Sequence, residues 1–288
     1  MSFQPPPNVL SQAAHARLVE TEGAPLLLAN WSRTLMLHFE ADADALQRAV
    51  PFELDRHHGV AYVSLVAFTQ ERLRPRRGGR FTEWLSRPVA THGFLNLRTY
   101  VKHGGERGIF FLGEWIPNRL AQWLGPRLFG LPYRLGSVAY RHAHESGTLA
   151  GEVRPADVPG GLRYAARIDP SWEFDPPPPG SRSHFLMERY SAFCARKSWR
   201  GRFRIWHKPW PQVHVAVKFD SLDLLQGLGA WARELRYAGA NYSPGVQDVW
   251  IGRPARLEAP VPRAAPTAAR PSTARLRPAV ELPQSKPG

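Results

Sequence analysis

Short runs of strand-forming residues, each closed by a turn, recur from about residue 26 to residue 251, and few helical stretches separate them. A doubly wound parallel sheet needs a long helix between successive strands, so this pattern argues against it. Gly59–Thr69 is rich in Val, Tyr and Phe, which fit a pleated, half-buried surface, and predicts a strand. Phe94–Val101 alternates with a period of two: Asn96, Arg98 and Tyr100 share one face, and Leu95, Leu97, Thr99 and Val101 the other. His103–Glu106 reads as a turn and Gly108–Trp115 as the return strand of a hairpin. Val138–His144 and Leu149–Val153 read as a second hairpin. Leu26–Leu28, Trp31–Phe39, Leu162–Ile168, Arg202–Trp206, Val213–Phe219 and Val246–Ile251 complete the expected strands.

The expected helices are short. Asp42 or Asp44 caps one running to Val50. Pro117–Leu124 carries proline in its first turn and would turn Leu120, Trp123 and Leu124 to the sheet. Ser183 would cap a helix from His184 to Ala192, on which Glu188, Arg189 and Tyr190 would sit. Ser221 opens a last helical stretch to Arg236, weakened by Gly227 and Gly229. Arg72–Arg80 reads as a basic loop and Pro176–Pro179 as an extended linker. The expected organisation is a flexible arm over 1–24, one α+β domain over 25–257, and a Pro/Ala/Arg-rich tail over 258–288 too poor in apolar residues to offset the entropy of ordering.

The formal net charge of +14 invites a nucleic-acid reading, but the charges are scattered and no zinc-finger, basic-heptad or RNA-recognition pattern accompanies them. Specific nucleic-acid binding is therefore not expected, and a homo-oligomer is left open. The single cysteine, Cys194, rules out an internal disulfide and reads as a small core residue, in keeping with a reducing, cytoplasmic setting. No apolar run is long enough to span a bilayer, so no membrane partner is expected. No glycine-rich phosphate loop or other cofactor motif follows any strand, so no cofactor is expected.

The runs His92–Val101, Gly108–Phe111, Gly130–Arg134, Glu188–Tyr190, His207–Pro211, Ala240–Gly245 and Asp248–Trp250 occur in one order. Together they resemble the YqjF-like family of conserved proteins of unknown function, over about residues 26 to 254. The resemblance implies a fold similar to acetoacetate decarboxylase: a curved antiparallel β-sheet, or partly open β-barrel, with short outer helices. Acetoacetate decarboxylase works through a lysine Schiff base; the strand resembling the one that carries this lysine is Gly108–Trp115, where Gly113 and Glu114 stand in the approximate place. Schiff-base decarboxylation is therefore not expected.

Within such a barrel, Asn96, Arg98 and Tyr100 would face either a cavity or solvent; in a cavity, the planar fork of Arg98 suits a carboxylate or a phosphate. Glu114 lies in an apolar strand, where it is either a desolvated acid fit for proton transfer or half of a buried ion pair. His207 could shuttle protons, or simply brace a His-x-Pro-Trp corner with Trp210. Glu188 could point inward or anchor its helix. His142 and His144 share a strand face as a metal pair would, or form a solvated hairpin end, and no metal is expected there. Three functions follow: a lyase or isomerase acting on a carboxylate or keto acid, with Arg98 as clamp and Glu114 or His207 as acid–base groups; a non-catalytic ligand sensor; or a polyanion-binding scaffold.

Overall fold

The structure is a computed structural model, and it describes residues 12–21, 25–196 and 199–257. In chain order, helix α1 (Gln12–Thr21) precedes strand β1 (Leu27–Ala41), helix α2 (Ala43–Ala49), β2 (Glu53–Leu54) and β3 (Ala61–Pro75). Helix α3 (Gly79–Ala90), β4 (His92–His103), β5 (Glu106–Ile116) and helix α4 (Arg119–Phe129) follow. The chain continues through β6 (Tyr133–Ala143), β7 (Thr148–Pro155), β8 (Leu162–Arg167), helix α5 (Arg182–Met187), β9 (Ser191–Arg196) and β10 (Trp199–Trp206). It ends with β11 (Val213–Val215), β12 (Val217–Ser221), β13 (Arg236–Ile251) and β14 (Ala255–Arg256).

One curved, mixed sheet forms a partial ring. The pairings run from β5 through β9, β10, β13, β1, β3 and β4 and return to β5. The circuit is strong where β1 meets β13 and β3, with twelve residue pairs at each contact. It is thin at β5–β9 and β10–β13, with two pairs each. From β5 a second wing, β6-β7-β8-β12, leaves the ring.

The ring strands are apolar on both faces, because each face has its own core. Successive residues of β1 divide accordingly: Leu35 and Leu37 pack with Leu65, Leu97, Trp115 and the wing residues Leu149 and Tyr164, whereas Met36 packs with Val66, Phe94, Phe111 and Trp210. Each such buried side chain contributes about 1.5–3 kcal/mol of transfer free energy. The sheet is thus fixed by alternation on both sides, and a one-residue slip would exchange the two cores.

An irregularity in β5 has the largest consequence. Leu97 pairs with Gly113 but Arg98 pairs with Phe111, which leaves Leu112 as an extra residue. A bulge of this kind resets which side chains share a face. Before it, Ile109 and Phe111 face the inner core; after it, Glu114 comes opposite Asn96, and Trp115 turns to the other core.

Several expectations are corrected. Residues 12–21 are helical where a loose arm was expected; the rest of that arm, and the tail expected from 258, lie outside the described residues. Arg72 and Arg74 belong to β3, and a helix, α3, begins at Gly79. Ser181 rather than Ser183 caps α5, which ends at Met187, so Glu188–Tyr190 form a connection and Ser191–Arg196 is a strand. Between β12 and β13 only two short 3-10 turns form, at Asp223–Leu225 and Ala230–Ala232.

Candidate functional site

The inner core encloses a cavity of about 370 Å³. Its floor comes from β1, β3, β4 and β5, and α3 and α4 flank its mouth. Most of the wall is apolar: Met36, Val66, Phe94, Phe111, Leu131, Phe203 and Ile205 line it. Into this wall the alternation of β4 sends Asn96 and Arg98, the bulge in β5 sends Glu114, and the segment after β10 sends His207 and Trp210.

The buried polar groups of this wall are under-satisfied. Among the described residues, Trp31 Nε1, Thr34 Oγ1, both ring nitrogens of His92, Asn96 Oδ1, Arg98 Nε, Glu114 Oε2 and Arg189 Nη2 make no hydrogen bond, and all seven residues line the cavity. Leaving such a group unpaired costs about 1–3 kcal/mol, more when it is charged. Buried polar groups are mostly paired with protein or ordered water, so eight such atoms around one hollow set this part of the interior apart.

Arg98 is held from one side only. Its Nη2 donates to the Leu186 carbonyl at 3.0 Å and reaches Met36 Sδ at 3.5 Å. Arg189 donates from Nε to the Phe185 carbonyl and from Nη1 to Asp55 Oδ2, each at 2.7 Å. Arg107 Nε also binds Asp55 Oδ2 at 2.7 Å, so two guanidinium groups share that carboxylate. Burial pulls the Arg189 pKa down to about 10, against the pull of Asp55. The two cavity guanidinium groups flank one ring: Arg98 lies 5.9 Å and Arg189 5.1 Å from the centroid of Tyr100. Arg98 and Arg189 both line the cavity, and the Asp55 carboxylate is shared between Arg189 and Arg107, so the polar end of the cavity is electropositive.

Glu114 behaves oppositely. Burial raises its pKa well above the ordinary carboxylate value, and no cation near it offsets the desolvation. Burial therefore favours its protonated, O–H-donating form over the carboxylate that an ion pair would hold. Tyr133, its parallel-pair partner on β6, also lines the wall and is pushed up by burial and by Glu114. Asn96 faces Glu114 across the ladder, and Arg98 stands one pleat repeat (about 7 Å) farther along the same face. His207 is buried, donates from Nδ1 to the Lys208 carbonyl at 2.7 Å and stacks on Tyr190 at 4.8 Å. Burial pulls its pKa below the ordinary value, although Glu188 and backbone carbonyls of Lys208 and Arg189 favour the cation.

Two of the expected ligand residues stand elsewhere. Tyr100 is fully buried behind the wall, its hydroxyl 2.6 Å from Ser64 Oγ. Glu188 spends both oxygens on bracing: Oε1 accepts from the Trp210 backbone N–H at 2.9 Å and Oε2 from the Tyr190 hydroxyl at 2.5 Å. Its neighbour Arg189 turns inward instead, because the chain leaves the helix at Met187 and no helical periodicity governs the next residues. The sequence signal for Arg189 was only that two adjacent residues cannot face the same way. His142 is buried and His144 is partly exposed, and both ring systems are tied into the fold. His142 bonds the Arg33 carbonyl and the Tyr164 hydroxyl, and His144 bonds the Tyr242 hydroxyl at 2.8 Å. Among the described residues no His, Cys, Asp or Glu cluster is arranged to hold a metal ion. Cys194 is buried, which pushes its thiol up to about 12.

Behind Tyr100 a buried polar chain crosses the sheet. Ser64 Oγ lies 2.7 Å from His38 Nδ1, and His38 Nε2 lies 3.1 Å from Asn241 Oδ1. The Asn241 oxygen only accepts, so Nε2 carries the proton, and a neutral Nδ1 accepts from Ser64, which in turn accepts from Tyr100. This order fixes the Tyr100 ring beneath the two guanidinium groups. It requires a neutral imidazole, and burial lowers the His38 pKa to about 3. His142 is lowered to about 4 for the same reason. Both folded values lie below the unfolded 6.5, so the stability these histidines contribute is complete above pH 6.5 and is lost as the pH falls toward 3–4. Urea midpoints should therefore drop steeply between pH 6.5 and 4, by up to about 1.4 kcal/mol per pH unit for each histidine. A His38→Gln, His142→Gln double variant should show a clearly shallower fall; an unchanged slope would show that other groups control acid unfolding.

A family model described as DUF2071, uncharacterized conserved protein, matches residues 28–247. The uncharacterized protein YqjF of Bacillus subtilis (strain 168) is 26% identical over 205 residues, covering 66% of this chain and 76% of that protein. Among solved structures, acetoacetate decarboxylase of Legionella pneumophila superposes with a TM-score of 0.55 at 12% identity, covering 80% of this chain and 87% of that one. The enduracididine biosynthesis enzyme MppR complexed with pyruvate superposes with a TM-score of 0.56 at 14% identity, covering 82% of this chain and 91% of that one. These likenesses are of fold.

Proposed function

The chain belongs to the DUF2071 family of uncharacterized conserved proteins, and from that premise we propose that it binds a carboxylate or keto-acid ligand in the cavity and acts on it as a lyase or isomerase without a Schiff base. The observation that carries this reading is the set of unpartnered buried polar atoms facing one hollow. The ligand carboxylate sits between Arg98 and Arg189, whose free N–H groups are its donors. A carbonyl one pleat repeat away meets the protonated Glu114, which polarises it and delivers a proton to the oxygen as charge develops there. His207, neutral and adjoining the same wall, is placed to move the second proton. Among the described residues no cavity-lining side chain is a lysine, which supports chemistry without an imine. That a fold neighbour is complexed with pyruvate supports the ligand class.

The test is calorimetric titration with a series of 2-keto acids and their 2-hydroxy and simple carboxylate analogues, with turnover followed by proton NMR. Binding that is lost on esterification of the carboxyl group supports the reading. Equal affinity for acid and ester, or no binding across the series, sinks it. Binding without turnover of any member leaves a sensor in place of an enzyme.

A further inference from the structure

The mouth of the cavity continues onto an exposed apolar face. On α3, Phe81, Trp84 and Leu85 are 70%, 59% and 63% exposed. On α4, Leu120, Trp123 and Leu128 are 46%, 51% and 57% exposed. On α3 the second and third of these lie three and four residues after the first, and on α4 three and eight residues after it, so each set stays on one broad side of its helix. This corrects the expectation that Leu120 and Trp123 turn to the sheet. Leu85, Leu120 and Leu128 also line the cavity, so the stripe and the hollow share a rim. The two helices are tied together: Asn118 caps α4 by accepting from the Ala121 N–H at 2.9 Å and donates to the Pro88 carbonyl of α3 at 2.6 Å.

The charge around this face is predominantly positive, although Arg74 pairs with Asp248 and Arg134 with Asp157. Residues 72–90 and 117–134 contain nine arginines and a single acid, Glu83, which pairs with Arg72 at 3.5 Å. Arg77, Arg87, Arg119 and Arg127 are exposed, and Arg127 lies 4.3 Å from the ring centroid of Trp123. A second copy of the chain docking here about a two-fold axis would bring two arginine rims together. An anionic bilayer satisfies both features, with phosphate headgroups at the arginines and acyl chains under the aromatic side chains. We propose that α3 and α4 seat this protein on an anionic membrane surface with the cavity mouth against the lipid, so that the hollow exchanges an amphiphilic ligand directly with the bilayer. This departs from the expectation of no membrane partner, which rested on spanning segments; among the described residues no helix is long and apolar enough to span.

The test is co-sedimentation of the full chain with vesicles of roughly three parts phosphatidylcholine to one part phosphatidylglycerol, and with phosphatidylcholine alone. Brominated acyl chains serve as quenchers of tryptophan emission. The anionic vesicles should bind at least about tenfold more tightly, with quenching that weakens in Trp84→Gln and Trp123→Gln. The triple variant Phe81→Gln, Trp84→Gln, Trp123→Gln should lose about tenfold in affinity while its circular dichroism and melting stay unchanged. Equal binding by the triple variant would overturn the proposal, since general attraction of a +14 chain would then suffice. So would absence of binding, or a wild-type dimer that the triple variant converts to monomer. Arg98→Met should bind vesicles like the wild type, so failure of the carboxylate reading and failure of this one show separately.

Discussion

Replacing Arg98 with methionine is expected to abolish carboxylate binding while leaving the folded protein as stable or more so. The two effects have one cause. Arg98 is a buried cation without a carboxylate partner among the described residues, and its Nε makes no hydrogen bond. In the unliganded protein that desolvation is uncompensated, and an apolar side chain of similar length removes it. On ligand binding the same group would form charge-assisted hydrogen bonds worth about 1.5–3 kcal/mol each, so the variant should bind at least about tenfold to a hundredfold more weakly. Its urea midpoint should rise, by an amount equivalent to about 1–3 kcal/mol. Titration calorimetry and equilibrium unfolding on the same preparation decide the matter. A variant that loses stability along with binding would show Arg98 to be a structural prop through Leu186 and Met36. One that keeps full affinity would remove the anion clamp altogether.

The second large effect concerns Glu114 and is a pH dependence. Its folded pKa lies above the unfolded 4.5, because burial disfavours the charged form. The sign follows by linkage: the stability associated with its protonated form is complete below pH 4.5 and is lost as the pH rises through the folded value. Relative to Glu114→Gln, which cannot ionise, the wild type should lose about 1.4 kcal/mol per pH unit across that window. Ligand affinity of the wild type should hold across that window and fall only as the pH passes the folded value, where the O–H that meets the ligand carbonyl is removed. In Glu114→Gln the amide still donates, so affinity should persist and become flat with pH, while turnover, which needs a transferable proton, should fall by about 10²–10⁴. A wild-type profile parallel to that of the glutamine variant would show that Glu114 does not titrate in the cavity. Unimpaired turnover in Glu114→Gln would remove it from the proton-transfer role.

Local sequence was informative wherever the controlling interaction is local. The alternation in Phe94–Val101 and the turn at His103–Glu106 were readable because a period of two and a tight turn are properties of adjacent residues; β4 and β5 follow them closely. The same alternation puts Asn96 and Arg98 on the cavity wall. A cap by Asp42 or Asp44 was readable for a similar reason, and the structure settles it on Asp42, whose carboxylate accepts from the Ala45 N–H at 2.6 Å. The face of Glu114 was not readable, because strict alternation from Ile109 puts it opposite the inner core. Only the extra residue Leu112, forced by pairing β5 with β4, turns it inward. Arg189 rather than Glu188 reaches the hollow because α5 stops early, which depends on β9 pairing with β10 and β5 rather than on helix propensity. The outward faces of α3 and α4 are likewise settled by what already fills the sheet beneath them. What the order of residues determined by itself was therefore the sheet-rich architecture, the sidedness of β4 and the kinds of side chain available for a site. Which of them converge on one hollow was decided by long-range pairing, since bulges, early helix ends and exposed apolar faces arise from competition between segments distant along the chain.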